Sequence, residues 1–469
     1  MNFVGAIDQG TSSTRFFIFE ANSSRVAARS SRSISSIYPK EGWVEQDPNH
    51  ILETVVDCLN DGAKEFVKNG HSIDSLVSIG ITNQRETTVV WDRTTGEPLY
   101  NALVWLDTRT KPLVDEYIRK HNSKDVLRDK CGDIHLKQDC PTLRWLILNV
   151  ERVKKALEEN RLMFGTVDSW LVYKLSIGSV HVTDVTNASR TLLMNINTLQ
   201  YDVELLKFFE LPSTDILPTI RSSSEIYGKL SQPEVLRKVP ISGILGDQQA
   251  ALIGQGCIQP GTAKSTYGTG AFLLKNVGDK PVFSQTGLLS TVAYKLGTSK
   301  KAVYALEGSI AVAGSLINWL KDNMGIISSY DEIEDALKNL DSTGGVYIVP
   351  AFSGLFAPHW RSDARGTIVG LSQFTKKEHI IRASLEAIAF QTREILDAMK
   401  NDSNIPLNNL FVDGGMTENT SFIKILADMT GFCEATALGA AIVAGNAMGI
   451  WDPSNILKWT QKLRLCRPQ

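Results

Sequence analysis

The stretch Asp8-Gln-Gly-Thr-Ser-Ser-Thr-Arg15 lies between two short apolar runs, Phe3–Ile7 and Phe16–Phe19. Two apolar segments joined by so tight a polar turn predict a β-hairpin. Glycine lets the backbone bend so that N–H groups converge on an anion, and the four consecutive hydroxyl side chains can add phosphate contacts. Asp8, at the end of the first strand, can hold Mg²⁺ directly or through water. A plain hairpin turn has the same composition, so this stretch by itself leaves both interpretations open.

A second unit of the same kind occurs in the other half of the chain. The segment Ser265-Thr-Tyr-Gly-Thr-Gly-Ala-Phe-Leu-Leu274 is apolar and is interrupted by a Gly-Thr-Gly turn. We interpret the two strand–turn–strand units as a weak internal repeat of domain architecture. Two small turns facing each other could clamp a triphosphate across a cleft, although a lone Gly-Thr-Gly turn is weak support for such a site.

Strand and helix signals alternate around these units. A helical pattern runs from Asp47-Pro48 to about Phe66, and another helix begins at about Ser421. Further strands are expected at Leu76–Ile81, Thr88–Trp91 and Leu410–Met416. The mixture indicates an α/β fold, and because no long linker separates the halves we expect them to pack closely with a cleft between them.

The composition limits the class of protein. The chain has 469 residues, 43% of them hydrophobic and 21% charged, and a formal net charge of −2. The length predicts two or three globular domains, and the charge gives no sign of a nucleic-acid partner. Six cysteines are scattered without a CxxC pair, which favours free thiols in a reducing compartment. With no signal region and no apolar run of the roughly 18–20 residues needed to cross a bilayer, we expect a cytoplasmic protein without a transmembrane segment.

Three further segments carry side chains suited to chemistry. Asp247 closes an apolar strand, where a general base is worth about 10²–10⁴ in rate, although a helix N-cap is the commoner role for such an aspartate. Arg85 and Glu86 offer a donor fork and an acceptor that suit vicinal hydroxyls, with Trp105 as an apolar wall; a solvated ion pair beside a core tryptophan is the competing interpretation. The strand end Val412-Asp-Gly-Gly-Met416 suits either an adenine site or a simple turn.

No GxxxxGK[ST] phosphate loop, no GxGxxG after a strand and no protein-kinase motif occurs. In their order, the segments above resemble the FGGY carbohydrate kinases, and among these the glycerol kinases of animal type, from about residue 3 to residue 452. Other stretches similar to that family are Asn83–Glu86, Gly246–Gln248, Gly366–Leu371, Ala383–Glu386, Gly42–Asp47 and Asp168–Trp170.

The resemblance implies two ribonuclease-H-like domains of the actin and hexokinase type with a cleft between them. Residues 1–243 would bind the polyol and the phosphates, residues 244–455 would bind the nucleotide, and residues 456–469 would form a short tail. The implied reaction transfers the γ-phosphate of ATP to glycerol and gives sn-glycerol 3-phosphate, with Mg²⁺ bridging the phosphates. The implied protein is cytoplasmic, and self-association into a homo-oligomer is left open.

The resemblance also assigns individual residues. Asp247 would accept the proton of the attacking hydroxyl, and Asp8 would hold Mg²⁺ through water. Glycerol would contact Arg85, Glu86, Asp247 and Gln248, with Trp105 and Phe272 as apolar walls. The nucleotide would contact Thr11, Ser12, Ser13, Arg15, Thr269, Gly314, Asn318, Gly415 and Asn419. Asn318 stands where the family usually has glutamine.

Three features depart from the family pattern. Cys131–Trp145 is shorter and lacks the tyrosine that contacts glycerol in the family, with Gln138 or Lys137 nearest in position. Losing one hydroxyl contact typically costs about 0.5–1.5 kcal/mol. Thr430–Ala435 joins two segments that the family separates by a further strand, which should damage the sheet beside the adenine site, and the sequence ends soon after Asp452. The alternative hypothesis is therefore a catalytically weak or inactive relative with a nucleotide-binding or regulatory role.

Overall fold

The computed structural model describes residues 1–23, 25–123, 125–132, 141–431, 434–435, 446–449 and 464–465. These residues form two compact units. Unit 1 contains residues up to 254 together with 291–304 and 446–449, and unit 2 contains residues 255–290, 305–431, 434–435 and 464–465. The expected domain boundary after residue 243 falls inside a strand of unit 1, Pro240–Gly246.

The elements before residue 255 are mixed strands and helices. The strands are β1 (Phe3–Gln9), β2 (Ser13–Glu20), β3 (Val26–Ser33), β4 (Glu45–Gln46), β5 (Leu76–Asn83), β6 (Thr88–Asp92), β7 (Ala102–Leu103), β8 (Leu162–Thr166), β9 (Val182–Asp184), β10 (Met194–Asn195), β11 (Gln200–Tyr201), β12 (Thr219–Arg221), β13 (Ser224–Lys229) and β14 (Pro240–Gly246). The helices are α1 (Pro48–Lys68), α2 (Lys111–His121), α3 (Arg128–Cys131), α4 (Thr142–Asn149), α5 (Glu151–Glu158), α6 (Val167–Leu175), α7 (Val185–Ala188), α8 (Val203–Phe208) and α9 (Asp247–Gly254).

The central sheet of unit 1 has the strand order β13-β14-β5-β1-β2-β3. The predicted hairpin is confirmed, because β1 and β2 pair antiparallel with Asp8 opposite Arg15. Strand β1 runs parallel to β5, which in turn runs parallel to β14. Gln9, Asn83 and Gly246 are paired across these three strands, so their carboxyl ends meet at one edge of the sheet. Ligands of open α/β sheets bind at this kind of edge.

Helix α1 covers the sheet with one apolar face. Ile51, Val55, Leu59 and Ala63 are spaced by four residues and are fully buried, as the periodicity predicts. The Asp47 carboxylate accepts a hydrogen bond from the Asn49 N–H at the start of the helix. An aspartate at this position satisfies one of the backbone donors that a helix leaves unpaired, so the sequence determines where α1 begins.

The remaining strands are β15 (Thr262–Tyr267), β16 (Ala271–Gly278), β17 (Leu289–Tyr294), β18 (Val303–Ile310), β19 (Tyr347–Val349), β20 (Thr367–Val369), β21 (Asn409–Asp413), β22 (Glu434–Ala435) and β23 (Arg464–Leu465). The remaining helices are α10 (Gly314–Asp322), α11 (Asp331–Leu337), α12 (Lys377–Ser403) and α13 (Thr420–Thr430). Among the helices of the described ranges, α12 is the longest, with 27 residues, and α13 packs against it. No helix within the described ranges is both long enough and apolar enough to span a bilayer.

A second large sheet has the order β17-β18-β16-β15-β21-β22-β23. Its β15–β16 hairpin is antiparallel, β15 is parallel to β21, and β21 is parallel to β22. This arrangement repeats that of β1, β2, β5 and β14, which supports the internal repeat that the two glycine turns predict. The expected damage after β21 does not end the sheet, because β22 and β23 extend it.

Candidate functional site

Arg85 and Asp247 meet at the carboxyl edge of the first sheet. Arg85 follows β5 and Asp247 follows β14, and the Arg85 Nε lies 3.2 Å from the Asp247 Oδ1. Arg85 is 5% exposed, whereas the Asp247 side chain is 35% exposed. The solvated surface pair considered for Arg85 is therefore wrong, because its guanidinium is buried. Asp247 Oδ1 also accepts a hydrogen bond of 2.7 Å from the Gln248 N–H, which orients the carboxylate.

Glu86 is held by a partner that the sequence did not indicate. The Arg190 Nε donates a hydrogen bond of 2.7 Å to the Glu86 Oε1, and both side chains are nearly buried. Glu86 also has a φ of 65°, in the left-handed region that non-glycine residues rarely occupy. Such backbone strain persists where surrounding contacts over-determine it, which is common at functional sites.

Asp8 lies beside Arg15 and within the electrostatic influence of Asp247. The Arg15 Nη1 is 3.5 Å from the Asp8 Oδ2, and the Asp8 side chain is 35% exposed. Desolvation raises the pKa of Asp8 to about 6; Arg15 opposes this shift, and the negative charge of Asp247 adds to it. Two carboxylates whose charges repel each other thus occupy the same edge of the sheet.

The glycine turn after β1 is tied down by both backbone and side chains. The Gly10 N–H donates to the Ser13 carbonyl, and the Gln46 side chain donates to the Thr11 carbonyl over 2.7 Å. The Thr11 and Ser13 side chains are half-buried, and Ser12 is exposed. Thr14 is an exception to the expected row of four phosphate-facing hydroxyls, because its hydroxyl is buried against Thr54 at 2.8 Å. Alternation along β2 turns this side chain into the core.

Three glutamines support the turn from behind. Gln9, Gln46 and Gln84 are almost completely buried. The Gln84 Nε2 donates to the Gln46 Oε1 over 2.9 Å, and the Gln84 N–H donates to the Gln9 carbonyl over 2.8 Å. This network connects the ends of β1 and β5. Because isolated glutamines have no distinctive sequence pattern, it could not be predicted.

Unit 2 contains a cavity of about 440 Å³. The predicted residues that line it are Thr269, Gly314, Asn318, Gly415 and Asn419. Apolar side chains that the sequence analysis did not single out, Ile317, Leu385, Met416 and Phe422, supply another part of the wall. The polar and charged side chains of Tyr330, Asp331, Glu334 and Glu418 also line the cavity. Small-molecule sites commonly combine apolar walls with polar groups that fix the orientation of the ligand.

The second glycine turn forms one end of this cavity. The Gly314 N–H donates to the Gly268 carbonyl over 2.9 Å, and the Ala313 and Ser315 N–H groups donate to the Thr269 carbonyl. A Cβ at Gly314 would lie 2.6 Å from the Gly268 oxygen, so a side chain at this position would displace the turn. Glycine is thus required where α10 begins against the turn.

Two amide side chains of the cavity are already oriented. The Tyr330 hydroxyl donates to the Asn318 Oδ1 over 2.8 Å. The Asn419 Oδ1 accepts a hydrogen bond of 2.7 Å from the Phe422 N–H and so caps α13. In both cases the oxygen is engaged within the protein, which directs the amide –NH₂ donors elsewhere.

The predicted polyol residues fall into both units. Arg85, Glu86, Trp105, Asp247 and Gln248 belong to unit 1. Phe272 is in unit 2, half-buried at the start of β16 and opposite Thr266. The divergent segment around Lys137 and Gln138 lies outside the described residues, as does most of the junction after Gly431.

Comparison with known proteins identifies related sequences along almost the whole chain. Residues 3–254 match the family model of the FGGY family of carbohydrate kinases, N-terminal domain, and residues 263–448 match that of its C-terminal domain. The sequence is 49% identical to a glycerol kinase of Pseudarthrobacter chlorophenolicus, with 98% of this chain and 93% of that protein covered. It is 47% identical to a probable glycerol kinase of Dictyostelium discoideum, with coverages of 96% and 92%.

Solved structures of kinases are also similar to this chain along nearly its full length. The crystal structure of Plasmodium falciparum glycerol kinase with ADP is similar with a TM-score of 0.92 and 40% identity, covering 99% of this chain and 94% of that chain. Ligand-bound xylulose kinase from Lactobacillus acidophilus has a TM-score of 0.86 at 21% identity, with coverages of 100% and 94%. The latter similarity concerns the fold alone.

Proposed function

The chain belongs to the FGGY family of carbohydrate kinases, and we propose that it is a glycerol kinase. It transfers the γ-phosphate of ATP to glycerol, forming ADP and sn-glycerol 3-phosphate. The observation that carries this conclusion is the 49–50% identity to glycerol kinases along nearly the full chain. These relatives do not favour the alternative of an inactive nucleotide-binding protein, and the segments that suggested it lie largely outside the described residues.

Asp247 is proposed as the general base for the attacking hydroxyl of glycerol. Arg85 and the Gln248 N–H both contact its Oδ1, so the direction of the carboxylate is set before substrate binds. Such pre-orientation matters because displacing a catalytic group by 1 Å typically costs about 10²-fold in rate. In this proposal Arg85, Glu86 and Gln248 bind the glycerol hydroxyls, and Trp105 and Phe272 contact its carbon side.

The cavity of unit 2 is proposed to bind the nucleoside of ATP. Apolar side chains of Ile317, Leu385 and Met416 suit the faces of a base, and the amides of Asn318 and Asn419 suit its polar edge. Thr269, Gly314 and Gly415 lie where backbone groups can approach a ligand closely. In unit 1, Thr11, Ser12, Ser13 and Arg15 are proposed to contact phosphate oxygens.

The carboxylates of Asp8 and Asp247 fit a magnesium ion. Both are about one-third exposed, and desolvation, with a further contribution from the charge of Asp247, raises the pKa of Asp8, so these two residues would hold a cation that offsets their repulsion. No group of three or more metal-binding side chains occurs in the described part of the chain. Beside phosphates and water, Mg²⁺ is usually bound through only one or two protein carboxylates. When bound, Mg²⁺ supplies charge neutralisation to the phosphates. We assign Asp8 as its main holder, through water.

A coupled assay of ADP release, run with and without glycerol, tests the function. Glycerol-dependent release that disappears in Asp247→Asn supports the enzyme, and a panel of other polyols and of ketoses tests the substrate. Nucleotide-induced thermal stabilisation without any turnover would instead support the inactive relative. Asp363→Asn is a suitable control, because Asp363 pairs with Arg361 on an exposed loop.

Two finer properties are also proposals. Cys58, Cys131 and Cys257 are buried free thiols, which supports a reducing, cytoplasmic location. Cell fractionation tests this location. Self-association into a homo-oligomer is tested by light scattering of the purified protein.

A further inference from the structure

The buried carboxylate of Asp184 is connected by hydrogen bonds to the strand ends that precede Asp247 and Arg85, two residues of the proposed phosphoryl-acceptor site. Asp184 ends β9, is fully buried and caps the short helix α7. Its two oxygens accept five hydrogen bonds: from the N–H and hydroxyl of Thr186, from the N–H and amide of Asn187, and from the hydroxyl of Ser223. Burial raises the pKa of Asp184, and these hydrogen bonds oppose that shift.

The hydroxyl of Thr186 connects the Asp184 carboxylate to β14 through two hydrogen bonds. This hydroxyl donates to the Asp184 Oδ1 over 2.8 Å and accepts a hydrogen bond of 2.9 Å from the Gly246 N–H. A hydroxyl has one proton, so giving it to Asp184 leaves a lone pair directed at Gly246. Gly246 immediately precedes Asp247, and a Cβ there would lie 2.7 Å from the Arg85 Cδ. The position of the proposed base is thus tied to Asp184.

The side-chain amide of Asn187 connects the Asp184 carboxylate to β5 through hydrogen bonds. Its Nδ2 donates to the Asp184 Oδ1 and to the Asn83 Oδ1, each over 3.1 Å, and its Oδ1 accepts from the Asn83 Nδ2 over 3.0 Å. An ionised carboxylate only accepts hydrogen bonds, so Asp184 determines which way the Asn187 amide faces. Asn83 ends β5, two residues before Arg85, and it is paired with Gly246 in the sheet.

We propose that Asp184 is a positioning residue of the phosphoryl-acceptor site, which holds the ends of β14 and β5 through Thr186 and Asn187. This inference rests on the proposed function, because the groups it positions are Asp247 and Arg85. Arg190, three residues after Asn187, bonds to Glu86 from the same part of the chain. One short segment, residues 184–190, therefore contacts Glu86 directly and also contacts the strand ends that precede Arg85 and Asp247.

Thr186→Val tests the branch to the general base, because it removes the hydroxyl and keeps the branched shape. The matched control is Thr183→Val in β9, three residues before Thr186, because Thr183 is equally buried and its hydroxyl bonds to Asp168 instead. We expect Thr186→Val to lower kcat by ~10-fold to ~100-fold. Thr183→Val should remain within twofold of wild type, and Thr186→Ser, which restores the hydroxyl, should recover most of the kcat.

Asn187→Leu tests the branch to Arg85. Because Arg85 is proposed to bind glycerol, this variant should raise the KM for glycerol by ~10-fold while changing kcat less than Thr186→Val does. Asp184→Asn should change both constants. A helix cap that served stability alone would lower the melting temperature of these variants without such a split between kcat and KM.

All variants are assayed well below their lowest melting temperature, and Thr186→Ala replaces Thr186→Val if the latter does not fold. Equal kinetic constants for the Thr186 variant and Thr183→Val, in an active wild type, would overturn the positioning role alone. A wild type that releases no ADP in the presence of glycerol would overturn the proposed function and this inference with it. The split between kcat and KM described above would support both.

Discussion

The indole Nε1 of Trp105 donates a hydrogen bond of 3.0 Å to the hydroxyl oxygen of Thr11. Thr11 belongs to the glycine turn after β1, whereas Trp105 follows β7, a strand of a separate four-stranded sheet. The backbone N–H of Trp105 also donates a hydrogen bond of 3.2 Å to the Thr87 hydroxyl. Trp105 therefore joins the turn proposed for phosphate binding to the segment that carries Arg85 and Glu86.

Trp105→Phe should loosen this connection while keeping an apolar ring. We expect kcat/KM for glycerol and for ATP to fall together, by ~3-fold to ~10-fold, because one hydrogen bond of about 0.5–1.5 kcal/mol is lost. Steady-state kinetics with each substrate varied measures this change. Trp360→Phe is the control, since its indole bonds to the Gly287 carbonyl in unit 2 and should leave both constants unchanged.

Asp247→Asn should lower glycerol-dependent turnover by about 10²–10⁴, the usual contribution of a general base. The shape of the side chain is kept, so thermal stabilisation by ATP should remain close to that of wild type. Differential scanning fluorimetry together with the ADP assay separates the two effects. Turnover within tenfold of wild type would contradict the assignment of Asp247 as the base.

Gly314 and Gly415 offer a test of the nucleotide cavity. Gly314→Ala should weaken ADP binding and destabilise the fold by about 1–3 kcal/mol, because its Cβ would meet the Gly268 oxygen at 2.6 Å. Gly415→Ala meets no protein atom within 4 Å, so its stability should stay within about 0.5 kcal/mol of wild type. Titration calorimetry with ADP should nevertheless show weaker binding, since Gly415 lines the cavity. Unchanged ADP affinity in both variants would place the nucleotide elsewhere.

His181 should make the fold sensitive to acid. Its Nε2 lies 2.8 Å from the Phe164 carbonyl and its ring packs edge-on to the buried Trp91. Desolvation, aided by Arg93, lowers the pKa of His181 to about 4, although the Phe164 carbonyl opposes the shift. Between about pH 6.5 and about pH 4, His181 is therefore protonated in the unfolded chain but largely neutral in the folded chain.

Stability should thus fall as the pH decreases from about 6.5 to about 4, by as much as ~3 kcal/mol from this residue. Urea unfolding of wild type and His181→Gln across this range measures the difference. The variant is expected to lose less stability than wild type over the interval. Parallel pH dependences of the two proteins would show that His181 does not contribute.

Local patterns predicted much of the fold. The hairpins β1–β2 and β15–β16 follow from apolar runs around glycine turns, and α1 follows from apolar residues spaced by four behind Asp47. Both depend on interactions between residues close in sequence, so a single sequence was enough. The burial and direction of individual side chains were harder to predict. The inward-facing hydroxyl of Thr14 and the burial of Arg85 depend on how the sheet packs against its neighbours.

The sequence by itself determined the α/β class, the duplicated strand–turn–strand unit and the residue types expected at the site, because each arises from the preferences of neighbouring residues. Only the tertiary structure decided that Arg190 would hold Glu86, that Trp105 would bond to Thr11 and that Asp184 would support two strand ends. These partners lie on different elements, and their distances are set by strand register and helix packing rather than by spacing along the chain. The physical reason is that a hydrogen bond requires atoms to approach within about 3 Å, which only the complete fold arranges.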